Sequence, residues 1–349
     1  MSDATTTARQ ILAAYDGPHL RIMEVCGTHT HENFRLGIRR LLPPQVDLIS
    51  GPGCPVCVTP VGYIDEAIWL AEHDVTITTF GDLVRVPGTQ RNLAAARAEG
   101  ARVQVVYSPL DALEYAKEHV DEQVCFLSVG FETTVPAACL AVSQARDEGV
   151  GNFSLLVANK TMPNAYAVLK GSADVFLYPG HVHAITGTQL CEDLVEQGVS
   201  GVLAGFTAKE LLTAMAVAVS KAKEGKPFFV NAYPRVVKPE GTPAAVALIE
   251  RVMEPCDTEW RGLGVIPQSG LRLREEYAAF DARRKHDMPT IEGHANPACR
   301  CGNVLRGEIT PAQCPLFGKV CTPLHPVGAC MVSGEGACSA FYQYGGDLS

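Results

Sequence analysis

The amino-acid sequence predicts an α/β protein, two doubly wound parallel-sheet units followed by a Cys-rich domain. Three observations lead there. Short β-branched runs alternate with helical patterns from Leu20 to about Val230, the signature of parallel sheets covered on both faces. The 349 residues exceed one ordinary domain. After Tyr233 the alternation stops, and from Glu292 onward Cys, Gly and Pro dominate with little apolar periodicity.

The predicted strands are Leu20–Val25, Val46–Ile49, Val75–Thr79, Val103–Tyr107, Val124–Val129, Phe153–Ala158, Val175–Tyr178 and Gly201–Ala204. Helical stretches between them include Phe34–Leu42, Ile64–Glu72, Asn92–Ala98, Ala137–Arg146 and Lys209–Lys223. Units of ordinary size then fall at residues 1–120 and 121–233, with a third domain over 234–349. In that third domain Pro234, Pro239, Pro243, Pro255 and Pro267 punctuate short helical pieces. A segment so poor in apolar residues needs a metal centre or similar staple to hold its fold.

The charge balance, 29 basic against 38 acidic residues for a net of -9, leaves no basic stripe for nucleic acid. The most apolar segment, Val202 to Val219, is interrupted by Lys209 and Glu210, too short to span a membrane. The first seven residues lack the charged start and apolar core of a signal peptide. These features predict a cytoplasmic protein. Thirteen cysteines in such a chain point to metal or redox chemistry.

Each unusual loop directly follows a predicted strand: Cys26-Gly27-Thr28-His29, Gly51 through Cys57, Phe80-Gly81-Asp82, Gly130 through Thr134, and Pro179-Gly180-His181. The carboxyl ends of parallel strands line the ligand crevice, so these loops are expected around one cleft. Cys54-Pro55-Val56-Cys57 can close a disulfide or supply half a metal site. With no second Cys-x-x-Cys in the chain, redox activity is the better reading. A helix starting within Thr59–Ile64 is expected to lower a cysteine pKa there. Cys26 with His29 suits a soft or borderline metal such as iron, whereas His31 reads as a loop hydrogen-bonder. Cys125 and Cys139 read as small buried hydrophobes, and Cys191 and Cys256 stand alone.

Six cysteines, Cys299, Cys301, Cys314, Cys321, Cys330 and Cys338, fall in the last 51 residues. Four thiolates are what a cubane iron–sulfur cluster requires. Four-cysteine zinc is the alternative, but it favours two close pairs, and this tail has one. Six cysteines leave two over, which fits a cluster beside a disulfide.

At these residues the chain resembles the HypD family of accessory proteins that build the iron centre of nickel–iron hydrogenases. The matching boxes are Glu24 through His29, Gly51 through Val58, Gly81-Asp82 with Arg85 through Gly88, Gly130 through Thr134, Pro179 through Val182, and Cys314 through Cys338. The resemblance implies two α/β domains and a Cys-rich iron–sulfur domain. It implies Cys299, Cys314, Cys321 and Cys338 as [4Fe–4S] ligands, Cys301 and Cys330 as a redox pair beside the cluster, and Cys54 and Cys57 as an exposed thiol pair in the cleft. Cys26, with His29, would hold the iron that receives two cyanides and a carbon monoxide. A HypC-like small chaperone would add a cysteine ligand, and a HypE-like partner would donate cyanide. The chain departs from the expected pattern at Asn159 through Asn164 and at His183. A free-standing thiol–disulfide oxidoreductase would use the cluster and Cys54/Cys57 but leave Cys26 idle. A zinc-stapled binding protein would explain the tail alone.

Overall fold

The computed structural model describes residues 3–346; Met1, Ser2 and residues 347–349 lie outside the described residues. Two parallel sheets and one antiparallel ribbon form the frame. The first sheet has the order β2-β1-β7-β8-β9, from Leu20–Glu24 (β1), Val46–Ser50 (β2), Val175–Pro179 (β7), Gly201–Ala204 (β8) and Phe229–Asn231 (β9). The second has the order β4-β3-β5-β6, from Val75–Thr79 (β3), Val103–Val105 (β4), Gln123–Ser128 (β5) and Phe153–Val157 (β6). Strands β3, β6, β7 and β8 are buried along their whole length. Both of their faces are covered by helices, so their sequences read as unbroken β-branched and apolar runs. All eight predicted strands are present, with ends moved by a residue or two.

The connectivity corrects the predicted boundaries. The chain leaves the first sheet after β2, builds the whole second sheet, and returns to the first at β7. A break near residue 120 therefore falls between β4 and β5, inside one sheet. The predicted start of the third domain at 234 is also displaced. Val252, Met253, Leu271, Leu273, Tyr277 and Phe280 share a core with Val135, Val142 and Phe153 of the second unit. Pro255 and Pro267 do not punctuate helices; they lie in the ribbon Met253–Trp260 (β10) and Gly264–Leu273 (β11). A two-stranded ribbon tolerates proline because an edge strand need not donate every N–H.

The tail from 292 contains short helical turns and packs its cysteines into the core of the first unit. Cys301, Cys321, Cys330 and Cys338 share a cluster with Met23, Tyr166, Phe176 and Trp260. Among the described residues no helix is long and apolar enough to cross a membrane.

Candidate functional site

Both sheets reverse their winding beside their first strand, and in open parallel sheets a ligand crevice opens at such a point. In the first sheet this point lies between β1 and β7. Cys26 follows β1 and His181 follows β7. Cys26 Sγ is buried and stands 3.8 Å from His181 Nε2.

The local fold explains why the thiol sits there. Glu24, the last residue of β1, is fully buried. Its carboxylate accepts hydrogen bonds from Thr30 Oγ1 (3.0 Å), Asn33 Nδ2 (2.7 Å), Ser50 Oγ (3.0 Å) and Arg39 Nη2 (2.7 Å). These bonds draw the helix Gly27–Arg35 onto the strand end, with Cys26 as its extended N-cap residue. The segment predicted as a loop is thus the first turn of a helix. Gly53 lies directly against it, and any Cβ there would overlap the backbone of Cys26. Burial pushes the Cys26 thiol up to about 12, so the sulfur keeps its proton until a metal ion replaces it.

His29 is fully buried, and its Nε2 lies 3.0 Å from the Gly205 carbonyl. A carbonyl only accepts, so Nε2 carries the proton and Nδ1 keeps a lone pair. That Nδ1 has no hydrogen-bond partner. Burial, then the neighbouring His181, holds His29 down to about 3. Phe206 stacks between His29 and His181, with centroids at 4.8 and 4.9 Å. His31 lies on the same helix and meets the Gly334 carbonyl at 3.0 Å. His183 is also buried, bonding the Gly187 carbonyl at 2.9 Å and lying beside Cys191.

Cys54 and Cys57 are not exposed. Both are buried with their sulfurs 2.7 Å apart, and the Cys57 N–H donates to Cys54 Sγ at 3.2 Å. Burial, with the hydrogen bond to Cys330 second, holds the Cys57 thiol well above its ordinary value. The helix expected to lower it begins only at Val61, and a helix end acts over little more than its first turn. Desolvation wins.

The tail cysteines converge. Cys299, Cys301, Cys314, Cys321, Cys330 and Cys338 line one cavity with Leu316, Phe317, Met331 and Gly328. No other polar side chain lines it. Its donor set fits a sulfur-bound cluster on two further observations. The Val327 N–H donates to Cys321 Sγ at 3.3 Å. A Cβ on Gly328 would stand 2.8 Å from Cys299 Sγ, so only glycine leaves that side open. Among the described residues no three His, Cys, Asp or Glu side chains are gathered tightly enough for a single ion; a cluster's ligands stand further apart, around a body of several atoms. Within this group Cys330 is drawn down to about 7 by hydrogen bonds from Cys301 and Cys57, and Cys299 is pushed up, first by its bond to Cys301.

The sulfurs therefore form a line of contacts, Cys54 to Cys57 to Cys330 to Cys301 to Cys299. Other tail residues, not singled out in the sequence, close the cleft. Thr28 Oγ1 donates to Glu335 Oε1 at 2.6 Å, and Ser333 Oγ donates to Asp82 Oδ2 at 2.9 Å. Residues 330–335 thus touch loops from both sheets. Glu132, inside a box recognised in the sequence, was not marked as titratable. Burial raises it to about 7; Met162 N–H donates to Oε1 at 2.8 Å, and Oε2 has no partner.

Comparison with known proteins agrees with this architecture. Residues 3–345 match the HypD family, described as the hydrogenase formation hypA family. The chain is 43% identical over 357 residues to the hydrogenase maturation factor HypD of Azotobacter vinelandii, covering 97% of this chain and 94% of that protein. It is 41% identical over 346 residues to HypD of Cupriavidus necator, covering 95% and 91%. It is 43% identical over 334 residues to HypD of Escherichia coli, covering 93% and 89%. Matched end to end, with its cysteines gathered at the sheet switch point and in the tail, the chain belongs to the HypD family of hydrogenase maturation factors.

Proposed function

We propose that this chain is the scaffold on which the Fe(CN)2CO centre of a nickel–iron hydrogenase is assembled in the cytoplasm. The observation that carries the reading is the line of sulfur contacts from the cysteine-lined cavity to Cys57, one short loop away from Cys26.

Cys26 and His29 hold the iron cargo. A thiolate is the soft ligand that low-spin iron carrying cyanide and carbon monoxide calls for. The bond from His29 to Gly205 fixes its ring and leaves Nδ1 as the free donor, the usual outer-shell arrangement of a metal-binding histidine. Phe206 shields both histidines from water. A HypC-like small chaperone adds a cysteine ligand, and a HypE-like partner donates cyanide.

Cys299, Cys314, Cys321 and Cys338 would hold a [4Fe–4S] cluster, which supplies one-electron redox chemistry when bound. The chain's own thiols do the rest by exchange. With Cys301 and Cys330 as a disulfide, Cys57 thiolate attacks Cys330, forming a Cys57–Cys330 bond and releasing Cys301 thiolate. Cys54 then attacks Cys57, closing Cys54–Cys57 and releasing Cys330 thiolate. Two thiols are oxidised and one disulfide is reduced, with two electrons and, in sum, two protons passed. The reverse sequence delivers reducing equivalents toward Cys26. A free-standing oxidoreductase is disfavoured because a protein disulfide cannot reach thiols as buried as Cys54 and Cys57.

Complementation tests this. In a bacterium lacking its own family member, the wild-type chain and Cys139→Ala should restore hydrogenase activity, while Cys26→Ala and Cys57→Ala should not. Full activity with Cys26→Ala would contradict the assignment.

A further inference from the structure

Away from the cysteines, a cavity of about 550 Å³ opens where the helix Val61–Glu72 begins. It is walled by the 157–160 segment, the end of β10 with its turn, and residues 291–295. None of the residues that line it has a place in the assembly reading.

Arg261 is the unexplained group. Its side chain lines this cavity although the residue is only 5% exposed, and its Nε and Nη1 have no hydrogen-bond partner. A guanidinium cannot shed its proton to escape burial. An unpaired buried charge is costly, so such a site calls for an anion.

The helix end supplies a second, independent attraction. Pro60 precedes it and gives no side-chain cap. Among the described residues the N–H groups of Val61, Gly62 and Tyr63 take no backbone partner outside the helix. Such a terminus carries partial positive charge and free donors. Gly293 crosses at Gly62, where a Cβ on Gly293 would overlap the Gly62 backbone. Lys160 lies on the facing wall. Its Nζ donates to the Glu259 carbonyl at 2.7 Å and to Thr258 Oγ1 at 3.3 Å, and an ammonium has a third donor. The nearby Arg283 is already spent on Glu66 and the Val157 carbonyl.

We propose that this cavity binds a phosphate-type oxyanion, with Arg261 supplying the charge and the first turn of helix 61–72 and Lys160 supplying further donors. The anion is either free phosphate or the terminal phosphate of a nucleotide, and the volume admits both.

Calorimetric titration of the full-length chain with inorganic phosphate, and separately with ADP, tests the site. Saturable one-to-one binding is expected with at least one of them: phosphate alone identifies the free ion, ADP alone a nucleotide, and mutual competition the shared phosphate. Arg261→Met, checked for folding by circular dichroism, should weaken it about tenfold or more, the loss of one charge-assisted bond. If that variant does not fold, exposed rim residues serve instead. At constant ionic strength Glu292→Lys should tighten binding and His294→Glu should weaken it. The proposal is overturned if neither ligand binds, if binding survives Arg261→Met undiminished, or if both rim variants leave it unchanged.

Discussion

Cys57 and Cys330 touch, yet their acidities move in opposite directions. Burial dominates at Cys57 and keeps it a thiol; at Cys330 two thiol donors outweigh burial and favour the thiolate. The sequence announces the Cys-x-x-Cys spacing but not its depth, because burial is a property of the whole fold. With iodoacetamide near neutral pH, Cys57 should label no faster than the core thiol Cys139, and both should label in urea. Mass spectrometry reads this, and rapid selective labelling of Cys57 would contradict it. Glu132 carries a pH signature. Its folded value, about 7, lies above its ordinary 4.5. The native state therefore binds the extra proton between those values, and stability falls as pH rises through that window, by up to about 3 kcal/mol. Glu132→Gln keeps an acceptor for the Met162 N–H and removes the ionisation. Urea unfolding should show the variant gaining on wild type between about pH 5 and about pH 8. A constant difference across that range would show that Glu132 ionises freely.

Elements with a continuous apolar run were readable, and those shaped by tertiary contacts were not. Strands such as Val75–Thr79 declare themselves because both faces are buried. The helix Gly27–Arg35 has no such signal: Gly27, Thr28, Thr30 and Asn33 are poor helix formers. The buried Glu24 holds it by bonding Thr30 and Asn33. β9 spans only three residues, and the β10–β11 ribbon carries two prolines in its strands. At this scale Gly53 is the sensitive position, since its contact is with the backbone of Cys26, which cannot rotate away. Gly53→Ala should cost about 1–3 kcal/mol, the range for overpacking, measured by urea unfolding. An unchanged midpoint would mean that the two loops do not pack together as described.

For the whole molecule, the motifs were legible and their convergence was inferred correctly from parallel-strand ends, but the chain path was not. Strand order in a parallel sheet is set by contacts far apart in sequence, and nothing near residue 50 signals that β2 is followed by a different sheet. The tail's role as a bridge was equally hidden. It rests on single contacts from Ser333 and Glu335 to Asp82 and Thr28. If a cluster staples this tail, anaerobically prepared protein should hold about four iron and four sulfide per chain. Cys314→Ala should lose them and expose the segment after 292 to protease while both sheets stay folded. Stoichiometric zinc without sulfide would favour the zinc alternative instead.

The assembly claim turns on Cys26. Infrared spectra of the chain, isolated anaerobically with its small partner, should show bands of iron-bound cyanide and carbon monoxide. Cys26→Ala should remove those bands and leave the iron–sulfur absorption of the tail intact, because the tail supplies its own ligands. Diatomic bands that persist in the Cys26→Ala complex would contradict the account, showing that the iron is held elsewhere.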